Sequence, residues 1–88
     1  MKLGRVAGTV VCSVKDDRLH GLKLLVVQEV DVGLSPTQSF HVAADTIQAG
    51  PGDLVLFASG SSARQTEQTT GKAIDCATIA IVDHVNLA

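Results

Sequence analysis

The chain contains no tryptophan and no tyrosine, and its two aromatic residues are Phe40 and Phe57. A core built with so few rings must be filled by Val, Leu, Ile and Ala, and base-stacking platforms of the kind used for single-stranded nucleic acid are missing. Basic residues are also scarce. Seven Lys and Arg stand against nine Asp and Glu, for a net charge of -2. They are dispersed along the chain, so there is no electrostatic footprint for nucleic acid or an anionic membrane. No apolar run approaches the roughly 20 residues that would cross a bilayer. The Met1 to Arg5 start leads straight into a strand pattern, without the apolar h-region of about 7 to 15 residues that marks a signal peptide. A cytoplasmic protein is expected.

Cysteine and histidine are equally thin. Cys12 and Cys76 lie inside apolar runs with no metal-ligand spacing around them, so both are expected to be small buried hydrophobes, dispensable and unpaired. His20, His41 and His84 each stand alone in sequence, and surface or hydrogen-bonded structural histidines are expected at all three. No cofactor, metal ligand or catalytic residue is predicted. Ser61 and Ser62 follow Gly60, but the segment lacks the G-x-S-x-G pattern of a nucleophile elbow.

What the chain does have is β-branched and aliphatic residues, 45% hydrophobic in total, and eight glycines. At 88 residues it reads as a single domain, 1-88. A domain of this size buries only about 60% of the surface its unfolded chain exposes and would gain stability from a partner. The stretch Gly50 to Gln65 organises the rest. Gly50-Pro51-Gly52-Asp53 has proline and glycine where a type II turn wants them. Leu54 to Phe57 is a short apolar run suited to a strand buried on both faces. Gly60-Ser61-Ser62-Ala63-Arg64 then predicts a short helical turn opening near Ser61 or Ser62.

Other strands are expected over Val6 to Val14, with Gly4 and Gly8 marking a bend or bulge, over Leu22 to Val30, over Phe40 to Ala44, and over Ala77 to Val85. Lys15 to Gly21 and Asp31 to Thr37 read as loops, Asp45 as the start of a turn through its side chain, and Gln65 to Lys72 as the most mobile segment. Together these give an all-β fold, a small five-stranded barrel like the oligonucleotide-binding (OB) fold, with one short helical turn. The Gly60 to Arg64 corner could suit an anion, through backbone N–H groups and one guanidinium. An anion- or metabolite-binding module is therefore the alternative function, although the P-loop spacing and its lysine are absent.

The chain resembles the EutN/CcmL family of bacterial microcompartment shell vertex proteins, over nearly its whole length. The likeness rests on several segments together: the Met1 to Val11 start, Leu19-His20-Gly21-Leu22-Lys23-Leu24-Leu25-Val26-Val27-Gln28, Ala43-Ala44-Asp45, Gly50-Pro51-Gly52-Asp53-Leu54-Val55-Leu56, Gly60-Ser61-Ser62-Ala63-Arg64-Gln65, and Ile74 to Asp83. Cys12 and Cys76 depart from it, standing where similar proteins tend to carry alanine. The resemblance implies a non-catalytic OB-like barrel assembled as a homopentamer that caps the five-fold vertices of a shell of hexameric tiles, in the cytoplasm. Cyclic rings join one patch of each subunit to a different patch of the next. The candidate interface residues are Asp45, Gly60, Ser61, Ser62, Ala63, Arg64 and Gln65, with Asp45 and Asp53 as candidate partners for Arg64.

Overall fold

The computed structural model describes residues 1–13, 19, 21–65 and 74–88, with the backbone alone given at Ser62. Five strands carry the fold: β1 (Lys2–Val10), β2 (Lys23–Val30), β3 (Pro36–Asp45), β4 (Leu54–Ser59) and β5 (Cys76–Ile81). They close into a barrel in the order β1-β2-β3-β5-β4. Every junction is antiparallel except β3–β5, where Ala44 meets Ala77 and Asp45 meets Thr78 in parallel register.

The barrel interior follows from the period-two alternation of strand side chains. Val6 from β1, Leu25 and Val27 from β2, Ala43 from β3, and Val55 and Phe57 from β4 point inward, with Ala49 and Cys76 completing the cluster. Gly4 is required in this wall. A Cβ there would overlap Val27 Cγ1 and lie 2.8 Å from Phe57 Cε1, so the absence of a side chain lets β1 lie against the one buried aromatic ring. The bend expected in the first strand is present as a register shift between Val6 and Gly8 in the β1–β2 ladder. A second shift, between Gln28 and Val30, is fixed by Gln28 donating to the Thr37 carbonyl (2.8 Å) and Thr37 Oγ1 donating to the Glu29 carbonyl (2.8 Å).

The Gly50 to Asp53 reversal has the expected form. Gly52 takes φ 90°, Asp53 N donates to the Gly50 carbonyl at 3.0 Å, and Asp53 Oδ2 accepts from Gly50 N at 2.8 Å. The turn is sewn to β1, since Val6 N donates to the Asp53 carbonyl and Gly52 N to the Val6 carbonyl.

Several expectations need correction. No α-helix occurs among the described residues, and the helical turn expected from Ser61 or Ser62 is not formed; Gly60–Arg64 instead takes 3-10 geometry. Gly60, at φ 66°, donates its N–H to the Asp75 carbonyl at 2.7 Å. The segment is thus tied from its first residue to the chain entering β5, and so short a connector takes the tighter i→i+3 winding. The first strand runs from Lys2 to Val10 rather than from Val6 to Val14, because β4 pairs with its Lys2 to Arg5 end. Cys12 therefore lies two residues beyond the strand and is exposed, whereas Cys76 is buried as expected. The third strand begins at Pro36, well inside the segment read as a tip. Strand β5 ends at Ile81, where Val55 supplies its last partner. The expected loop over 15–21 and the Thr- and Gln-rich segment over 65–72 fall largely outside the described residues, as does His20.

Candidate functional site

The corner after β4 is built from the residues that ended the buried strand. The 3-10 segment packs on β4 and β5, and Ala63, fully buried, is its anchor. Ser61 and Gln65 face solvent. Arg64 turns back toward the body of the protein, and Nη1 donates to the Ile74 carbonyl at 2.9 Å. The guanidinium thus clasps the start of the chain segment leading into β5. A backbone carbonyl, one of the two acceptor types its planar fork suits, receives it there.

Asp45 stands apart from this corner, at the barrel seam. Its Oδ1 accepts from Ile47 N and Ala49 N (both 3.2 Å) and from Thr78 Oγ1 (3.0 Å). This is the turn expected from an aspartate side chain, with a cross-strand hydroxyl added. Thr78 is fully buried. Its Oγ1 also accepts from Thr46 N, and its carbonyl accepts from Thr46 Oγ1. Lys23 reaches the same end of the barrel, donating to the Ala49 carbonyl at 2.9 Å with Asp45 Oδ2 4.0 Å away. Asp53, the other candidate partner for Arg64, uses its Oδ2 within the Gly50 turn.

A third polar group escaped the sequence reading. Glu29 Oε1 lies 3.1 Å from His41 Nε2 and 3.4 Å from Lys2 Nζ, and the His41 ring sits 5.0 Å from that of Phe57. The hydrogen bond with His41 holds the Glu29 carboxyl below its ordinary range; burial works against it, and the Lys2 charge adds to it. The signal was present in the alternation: Lys2 is in phase with Gly4 and Val6, Glu29 with Leu25 and Val27, and His41 with Ala43. These three side chains thus cover one end of the barrel on the inward-facing rows. His41 is a hydrogen-bonded structural histidine, as expected, and His84 is exposed.

Burial, followed by the neighbouring Asp75 charge, pushes the Cys76 thiol up, which disfavours the reactive thiolate. Among the described residues no three His, Cys, Asp or Glu side chains gather as a metal site.

The family model described as "Ethanolamine utilisation protein EutN/carboxysome" matches residues 1–83. The chain belongs to the EutN/CcmL family. Its relatives include the bacterial microcompartment shell vertex protein GrpN of Rhodospirillum rubrum, 46% identical over 85 residues that span 97% of this chain and 96% of that one. The solved structure of GrpN, described as a pentameric microcompartment shell protein, superposes with a TM-score of 0.92 at 44% identity and full coverage of both chains. Gloeobacter violaceus CcmL superposes with a TM-score of 0.94 at 40% identity, covering 99% of this chain and 90% of that one. As a EutN/CcmL barrel, the chain has its two polar clusters and its arginine-clasped corner on a scaffold whose relatives are shell components.

Proposed function

We infer that this protein is a structural, non-enzymatic shell component whose copies close into a cyclic pentamer capping the vertices of a bacterial microcompartment in the cytoplasm. The observation that carries this reading is the superposition on the pentameric shell protein GrpN over the whole of both chains, supported by the vertex proteins among its sequence relatives. The 88 residues act as one domain, and hexameric shell proteins are the neighbours the pentamer meets.

Within the ring, we assign a role in the subunit contact to Asp45 and to the Gly60 to Gln65 corner. Support comes from the corner's fixed geometry: Ala63 is buried beneath it, Gly60 is held by Asp75, and Arg64 is held by Ile74. A surface that is already rigid loses little entropy on docking. The anion-binding alternative gains no support from a five-residue 3-10 segment whose guanidinium is engaged with a main-chain carbonyl.

Light scattering tests the assembly. A closed ring of five gives five times 9.1 kDa, about 45 kDa, and a monomer or dimer persisting at micromolar concentration overturns the reading. Arg64→Ala is expected to shift the ring toward smaller species while the β signature in circular dichroism persists, since truncating a desolvated interface charge costs roughly 2 to 5 kcal/mol. A variant that remains fully pentameric at nanomolar concentration removes Arg64 from the contact.

A further inference from the structure

Two described residues other than glycine hold a positive φ, Leu34 at 67° and Gln48 at 58°. The left-handed region is costly for an L-residue and persists where the surroundings impose it. At Leu34 the reason is local, since its N–H donates to the Asp31 carbonyl at 2.8 Å and closes the turn. Gln48 lies between Ile47 and Ala49, whose N–H groups are both held by Asp45 Oδ1. Held on either side, Gln48 is exposed and lines a groove of about 490 Å³ together with Gly21, Leu22, Lys23, Asp45 and Thr46. Among the described residues its carboxamide has no hydrogen-bond partner.

Two charged groups in the same groove have bonding capacity to spare. The Asp45 side chain is 2% exposed. Its Oδ1 takes three hydrogen bonds, but the nearest donor to Oδ2 is Lys23 Nζ at 4.0 Å, beyond hydrogen-bond reach. No fully buried side-chain oxygen among the described residues lacks a partner, so Oδ2 keeps an opening, and the groove is where Asp45 meets one. Lys23 Nζ gives one N–H to the Ala49 carbonyl at 2.9 Å and has two left. The groove therefore presents a carboxylate acceptor, ammonium donors, and a carboxamide that donates and accepts.

We propose that this groove binds a small neutral compound carrying vicinal hydroxyls. A hydroxyl both donates and accepts, so one hydroxyl donates to Asp45 Oδ2 while accepting from Lys23 Nζ, bridging the 4.0 Å between them. The adjacent hydroxyl pairs with the Gln48 carboxamide, and Leu22 lies against the carbon skeleton. Free anions are repelled by Asp45 and free cations by Lys23, which favours a neutral occupant. A single water also bridges such a gap, but the groove has the volume of a small-molecule site, about 300 to 1,000 Å³. The proposal does not depend on the ring reading. Asp45 enters both, here through Oδ2 alone.

The test is a titration of the 15N-labelled protein, in whatever assembly it adopts, with glycerol, followed by backbone amide shifts. Acetate and methylammonium at equal concentration and ionic strength serve as charged controls. The expected result is saturating shifts confined to Gly21 to Lys23 and Thr46 to Ala49, absent with either control. Lys23→Met should weaken the binding about tenfold, and Gln48→Gly severalfold, the glycine taking the positive φ without strain. Shifts that stay linear in glycerol, spread over the whole barrel, or appear equally with acetate overturn the proposal. So does glycerol binding that survives Lys23→Met undiminished. Should Lys23→Met not fold, Gln48→Gly decides, and unchanged affinity there overturns the proposal. A protein that binds glycerol at this groove but is not pentameric upholds the site and refutes the ring. A pentamer that leaves these amides unmoved does the reverse.

Discussion

Strand β3 is held by different means on its two sides. Toward β2 its pairing runs the length of the strand, from Pro36 opposite Val30 to Asp45 opposite Lys23. Toward β5 it has two parallel pairs, and there side chains take over: Thr78 donates to Asp45, accepts from Thr46 N, and returns a carbonyl to Thr46 Oγ1. A sheet can rely on its backbone where the ladder is long. Where a barrel must close through a short parallel seam, buried hydroxyls and a carboxylate supply the missing bonds, and each is fully committed because an unpaired polar group there would be costly. The ladder is therefore limited by volume and the seam by hydrogen bonding.

That contrast can be broken on the volume side first. Gly4→Ala adds a methyl that collides with Val27 of the ladder and with Phe57, and overpacking of this kind costs about 3 kcal/mol where backbone and ring must both shift. Chemical denaturation should show it as a lower midpoint with an unchanged slope, and parental stability would mean that the wall at Gly4 is softer than its contacts suggest. A smaller effect is expected at the seam. Thr78→Val keeps the shape but removes a donor to Asp45 and the acceptor of Thr46 N, which should cost about 1–3 kcal/mol. A variant as stable as the parent would mean that packing alone holds the seam.

The smallest effect should come from the barrel end, where Glu29 meets His41 and Lys2. The folded state holds the Glu29 carboxyl below its ordinary value, chiefly through His41. Its contribution to stability is therefore present above the ordinary carboxylate range and is lost as the pH falls through the lowered value. Melting temperatures of the wild type and Glu29→Gln should differ near neutral pH and converge as the pH falls through the lowered Glu29 value. Curves separated by a constant gap at every pH would exclude this titration.

Much of this architecture was legible in the residues. The Gly-Pro-Gly-Asp turn, the Leu54 to Phe57 strand, buried except at the half-buried Leu56, the bend near Gly8 and the Asp45 side-chain turn all follow from local chemistry, and local chemistry is what a sequence displays. The misread features depend on partners distant in the chain. Lys2 to Arg5 becomes strand because β4 lies beside it, and Pro36 enters a strand because it sits where the β2–β3 ladder is shifted beside Val30. Gly60 to Arg64 winds as 3-10 because Asp75 and Ile74 hold its two ends. Arg64 stands out in the sequence as the one guanidinium of the Gly60 corner, but its acceptor, a main-chain carbonyl ten residues on, leaves no mark in residue identity. The Glu29 and His41 pair needed the register of two strands before it could be seen.

The place of β5 in the barrel also bears on the order in which the molecule is made. Strands β1, β2 and β3 are neighbours both in sequence and in space, so their meander can form while the chain is still being synthesised. The gap between β3 and β4 is filled only by β5, the last of the five to leave the ribosome. Until then Leu25, Val27 and Ala43 line an open trough rather than a closed interior. The nascent meander is accordingly the form most exposed to aggregation, and slow synthesis across Gln65 to Ile81 would lengthen that exposure.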